Sequence, residues 1–167
     1  MTDKVIPIVA TRACGPCSLC CKVLSVRSIG KARNVWCEHA KPGRGGCSIY
    51  ASEAFPSDCG AFLCAWVSLP GTDPIALPES FRPDKLHAFI TGVKSRDGSG
   101  YSYAEGIIVH CDPGYPEVWR EEPLRSLLGK LIAKGLRVVV ASGNKRHLLL
   151  KQGTPAATFL ARELGVE

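Results

Sequence analysis

The sequence predicts an α+β fold in which a cysteine-rich N-terminal region packs on a small antiparallel sheet with two helices. Three observations carry this expectation. Eight of the nine cysteines lie between Cys14 and Cys64. Beyond residue 85 the chain alternates between strand-like runs and a helical stripe. Between these parts, Pro70, Pro74, Pro78 and Pro83 interrupt both helix and central strand. A chain of 167 residues can bury one hydrophobic core, so residues 1–70 and 71–167 are expected to form a single compact unit.

The first part holds the cysteines, the glycine-rich loop 41–46 and few periodic apolar runs. Residues 70–85 read as an extended connector. Residues 86–93 and 101–111 are rich in β-branched and aromatic side chains. Ser95-Arg96-Asp97-Gly98-Ser99-Gly100 between them supplies hairpin glycines, so an antiparallel pair is expected. After Pro123, Leu124, Leu127, Leu128, Leu131 and Ile132 recur at i, i+3, i+4, i+7 and i+8, one apolar stripe of a helix. Lys134 suits its last turn and Gly135 its cap. Residues 136–141 have strand length, Ser142-Gly143-Asn144-Lys145 reads as a turn, and residues 147–151 return as a strand. Thr154-Pro155 then opens a second helix reaching about Leu164. The order ββαββα suits an antiparallel sheet with helices on one face. A parallel crossover from 101–111 through the helix to 136–141 is the alternative topology.

Apolar residues make up 46% of the chain and charged residues 22%, a globular composition. No apolar run approaches the roughly 18 residues of a membrane span. The N-terminal apolar patch at 5–10 is interrupted by Pro7, whereas a secretory signal needs about 7 to 15 unbroken apolar residues. The expected location is therefore cytoplasmic, where clustered thiols bind metal or do redox chemistry more readily than they form lasting disulfides. The formal charge of +6 counts every thiol as neutral. Eight thiolates holding two zinc ions would remove eight charges and return four, leaving +2. Nucleic acid is thereby disfavoured as a partner, and the scattered Lys and Arg suit a solvated surface.

Spacing decides what the thiols can do together. CGPCSLCC contains C-x2-C twice in succession, Cys14/Cys17 and Cys17/Cys20. At that separation a turn can direct two sulfurs at one metal, about 2.3 Å from each for zinc. The same run matches iron–sulfur ligation, in which three close cysteines and a remote one hold a cluster. Cys20 and Cys21 are consecutive, and consecutive side chains diverge, so they are not expected to serve one mononuclear ion. Cys37, Cys47, Cys59 and Cys64 complete the set, and closing the loops between them costs only a few kcal/mol. Two four-ligand sites, or one cluster with spare thiols, both satisfy the spacing, and the region would be metal-organised.

These residues resemble the YkgJ-like proteins, a family described as a zinc- or iron-chelating domain with a CxxCxxCC signature. The resemblance rests on Cys14, Cys17, Cys20 and Cys21, then Cys37, Gly46-Cys47-Ser48-Ile49-Tyr50, Phe55-Pro56, and Cys59-Gly60-Ala61-Phe62-Leu63-Cys64. It covers residues 14–66 and implies metal chelation, of zinc or an iron–sulfur cluster, by all eight cysteines. Phe55 stands where the family usually has arginine, which puts in doubt any pairing of that cation with a thiolate. A related motif in a flagellin lysine methylase implies an alternative: an iron–sulfur-dependent redox or protein-modifying enzyme with Cys20 or Cys21 as a reactive thiol. A zinc-type nucleic-acid module ranks third, since it lacks the aromatic and basic interleaving of RNA modules. No protein partner and no catalytic residue can be named.

The remaining candidates have plainer readings. His39 could supplement the thiols, but eight already suffice, and it reads as an exposed loop residue. His87, His110 and His147 lie in or beside strands and read as structural. Cys111 adjoins His110, yet neighbours on a strand face opposite ways, so Cys111 reads as a small buried hydrophobe. Trp36 and Trp66 flank cysteines and could shield a site from water.

Overall fold

The computed structural model describes residues 12–43, 46–50, 52–69, 77–96 and 102–152. The chain is α+β. Its centre is a four-stranded sheet in the order β3-β4-β5-β6, built from β3 (Ala88–Arg96), β4 (Ser102–Cys111), β5 (Arg137–Ser142) and β6 (Lys145–Leu149). The cysteine-bearing part contributes α1 (Leu19–Val23), a two-stranded ribbon of β1 (Ala40–Lys41) and β2 (Gly46–Cys47), and the short helices α2 (Ser57–Gly60) and α3 (Ala65–Ser68).

The expected antiparallel sheet is corrected to a mixed one. β3–β4 and β5–β6 are antiparallel, but β4 and β5 pair in parallel, from Gly106↔Arg137 to His110↔Ala141. The chain makes the crossover through α5 (Leu124–Ala133). A hairpin cannot join parallel strands, and this helical connection supplies the span they require. Gly106 permits the close start of that pairing: a Cβ there would strike the Arg137 carbonyl. α5 ends as its residues dictate, with Gly135 at φ 86°, Leu136 N–H bonded to Leu131 C=O at 3.0 Å and Gly135 N–H to Ile132 C=O at 2.9 Å.

The connector is not wholly extended. Glu79–Phe81 forms a 3-10 turn, and Pro83 occupies the first position of α4 (Pro83–Leu86), where its missing N–H has no cost. Residues 70–76, the hairpin loop at 97–101 and the expected second helix at 154–164 lie outside the described residues.

Helices on one face only were expected, and this too is corrected, because both faces of the sheet are covered. Alternation sends Ala88, Ile90, Val109, Cys111, Val138 and Val140 to one face, where Leu124 and Leu128 of α5, Trp119, Phe81 and Leu86 meet them. Cys111 is 1% exposed there, and burial pushes its thiol up to about 11, as befits a small hydrophobe. The other face presents Phe89, which packs with Leu19, Val23, Cys64, Trp66 and Val67. Phe62 adds an edge-on ring 5.7 Å from that of Phe89. α1 and α3 are too short to persist alone; their apolar residues are held by this contact with the sheet.

His110 shares that second face. It stacks on Phe89 at 4.7 Å, and its Nε2 meets Thr91 Oγ1 at 3.1 Å. Burial, then the nearby Arg33 and Arg146 cations, push its pKa down to about 3. Unfolded, the imidazole protonates near 6.5. Its contribution to stability is thus complete above that pH and is lost as pH falls toward 3, at up to about 1.4 kcal/mol per unit. The expected result is that His110→Gln flattens this part of the stability–pH curve relative to wild type, measured by urea unfolding from pH 7 to 4.

Candidate metal centre

The first two C-x2-C spacings form through a turn. Gly15 adopts φ 54°, a conformation that suits glycine, and Cys17 N–H bonds to Cys14 C=O at 3.0 Å. Ser18 precedes α1, which carries Cys20 and Cys21 on adjacent positions. Successive helical residues are separated by about 100°, yet the Cys20 thiol still reaches that of Cys21 in a hydrogen bond. The ribbon closes beside this turn: Gly46, at φ 76°, lies against the carbonyls of Gly15 and Cys17. It brings Cys47 opposite Ala40, while Cys37 N–H bonds to Cys21 C=O at 3.0 Å. Cys59 lies in α2, and Cys64 caps α3 with its carbonyl accepting from Val67 and Ser68.

All eight sulfurs are free thiols, and all lie in this one region. Their mutual influence runs across the set, with Cys21 acting on Cys14, Cys20 and Cys59. Burial and then Cys64 and Cys21 raise the pKa of Cys14; burial and then Cys21, Cys37 and Cys47 raise that of Cys59. Cys20 is raised by its hydrogen bond to Cys21 and by burial, with Cys14 and Cys17 adding repulsion. That bond from Cys20, opposed by burial and assisted by the Lys31 cation, brings Cys21 down to about 7. Backbone N–H groups of other residues aim at two of the sulfurs: those of Leu19 and Asp84 at Cys17, and those of Trp66 and Val67 at Cys64. In both cases burial dominates, taking Cys17 up to about 11 and also raising Cys64.

By donor chemistry alone these are groups a soft cation takes: free thiols, partly buried, raised at Cys14, Cys17, Cys59 and Cys64 chiefly by that burial, two of them met by N–H donors that favour thiolate. Burial first and one another's charge second keep the protons on Cys14 and Cys59, and a divalent ion would oppose both by favouring the thiolates. Among the described residues, no three Cys, His, Asp or Glu side chains already converge as a preformed ion site.

Two polar features were missed from sequence. The Lys31 ammonium donates to the Lys22 carbonyl at 2.9 Å and to that of Leu24, capping α1, and it feels the thiols of Cys37, Cys21, Cys20 and Cys59. Lys22 Nζ reaches Asp112 Oδ1 at 2.6 Å, tying α1 to the end of β4. The available signal was that no acidic residue occurs between Asp3 and Glu38, which leaves the local cations to find remote partners. His39, at 3.7 Å from Glu38, sits beside the ribbon. Trp66 is buried against Cys64, whereas Trp36 is 43% exposed and does not seal the region from water. A cleft of about 160 Å³ adjoins the first turn, lined by Ser18, Trp36, Asp84, His87 and Asp112 among others.

Compared with family models, curated proteins and solved structures, the chain matches none. Fold and site define a class: an α+β protein whose thiol-rich unit covers one face of a mixed four-stranded sheet. No helix of the described residues is long and apolar enough to cross a membrane.

Proposed function

We propose that this chain is a metal-binding protein of the YkgJ-like kind, holding zinc or an iron–sulfur centre through two four-thiol sites. One comprises Cys14, Cys17, Cys20 and Cys64; the other comprises Cys21, Cys37, Cys47 and Cys59. The observation that supports this reading is that Cys59 feels Cys21, Cys37 and Cys47 whereas Cys20 feels Cys14 and Cys17, with the Cys20–Cys21 hydrogen bond joining the two groups. Bound metal would supply the cross-links for a region whose helices have four or five residues each. Phe55 packs its ring 5.1 Å from Tyr50, so an arginine's role beside a thiolate would pass to Lys31.

Single substitutions test the division. Cys64→Ser and Cys47→Ser are each expected to lose about half of the bound metal, and the double variant all of it. A single variant that loses all metal, or a double that loses only half, contradicts two separate sites. The enzymatic alternative requires iron: a colourless, zinc-only protein after purification without oxygen would dismiss it.

A further inference from the structure

On the second face of the sheet, Phe89, His110, Ala141 and Arg146 stand in one row across all four strands, each paired with the next. Neighbouring strands lie about 4.8 Å apart, so His110 and Arg146 flank the small side chain of Ala141 with roughly 10 Å between their backbones. Arg33 lies close enough for its charge to act on His110 and to feel that of Arg146. Its position is set by Asn34, which adopts φ 60°, donates its backbone N–H to Val23 C=O at 3.2 Å and its side-chain amide to Gly143 C=O at 3.4 Å. The loop carrying Arg33 is thereby fastened both to α1 and to the β5–β6 turn.

Among the described residues, the Arg33 guanidinium has no hydrogen bond or ion pair, although its Nε is closed off from solvent. Arg146 donates through Nη1 to the carbonyls of Lys145 and Gly143, at 2.9 and 3.4 Å, and has no carboxylate partner among those residues. His110 is 7% exposed, and its Nδ1 is likewise buried without a partner. Burial first and the Arg146 charge second lower the pKa of Arg33. A buried polar atom left unpaired costs free energy, and so do two cations held together. Nothing in the metal-binding reading uses these groups.

We infer that Arg33, His110 and Arg146, grouped on this face of the sheet with Arg33 Nε and His110 Nδ1 buried and unpartnered, form a binding site for a phosphate-type oxyanion. Such a group presents several acceptors and a negative charge to two guanidinium forks, whose planar donors suit it. It can also accept from the neutral imidazole when that ring carries its proton on Nδ1.

The test is a titration of the purified full-length protein with inorganic phosphate, and separately with phenyl phosphate, against sodium chloride at matched ionic strength. The readouts are the ring-nitrogen NMR signals of His110 and the thermal unfolding midpoint. Saturable movement of the His110 signals with phosphate or its ester, absent with chloride, is expected; the tighter ligand of the two identifies whether a free ion or an esterified group is preferred. Arg33→Gln and Arg146→Gln should each weaken binding on the order of tenfold or more, the usual scale for losing a charge-assisted hydrogen bond. Lys145→Gln, an exposed neighbouring cation, should leave it unchanged. Identical responses to phosphate and chloride, or undiminished binding in both arginine variants, would overturn the assignment. No cysteine takes part, and because Arg33 lies within residues 14–66 the titrations use protein whose metal content is left as purified.

Discussion

Treatment with a strong chelator is expected to unfold residues 14–66 while the four-stranded sheet stays folded. The reasoning is energetic. α1, α2 and α3 span five, four and four residues, and isolated helices shorter than about 12 residues are marginal in water. The ribbon pairs only two residues on each strand. Metal–thiolate bonding in small zinc domains is worth about 10–16 kcal/mol, far more than these elements can supply unaided. The sheet, by contrast, has its own core on the α5 side, with Val109, Leu124, Val138 and Val140 fully buried. Limited proteolysis should therefore cut first within 14–66 after chelation, and amide exchange should stay slow in β4 and β5. Equal protection of the cysteine region with and without chelator would contradict the structural role given to metal.

Phe89→Ala is expected to be the most damaging single change to the packing between the two parts. Phe89 is 1% exposed and is the sheet residue against which Leu19, Val23, Cys64, Trp66 and Val67 collect. Its ring also carries the stack with His110 and the edge contact with Phe62. Removing a buried phenyl group costs about 3–5 kcal/mol when the surroundings collapse only in part. That is a large share of the 5–15 kcal/mol by which domains are stable. Urea unfolding should show a loss of this size, together with weaker metal retention, because Cys64 packs in the same cluster. A loss below about 1 kcal/mol would mean that the cysteine region does not depend on the sheet.

Much of this was legible in the residues, for local reasons. The β-branched runs became β3 to β6, and the leucine stripe after Pro123 became α5 with glycine at its end. Those signals are periodic and lie within single elements. The parallel pairing of β4 with β5 was not fixed, because two apolar strands and a helix fit either direction until their registers meet. Phe89 and His110 also concealed the second covered face: an aromatic and a histidine between apolar neighbours read as structural without saying what would cover them. At the candidate site, the eight cysteines were evident from spacing, but the hydrogen bond between the neighbouring Cys20 and Cys21 thiols was not, because consecutive side chains were expected to diverge. Lys31 carries no motif, and Lys22 finds Asp112 ninety residues away, a contact that only the folded chain creates.

The central claim is that the thiols between Cys14 and Cys64 hold metal. Its most direct test is elemental analysis together with the visible absorption spectrum of full-length protein prepared without oxygen. The account predicts two zinc ions per chain in a colourless sample, or iron with matching sulfide in a brown one. Protein free of both metals, with all eight thiols titrating as free groups and the region still folded, would contradict it.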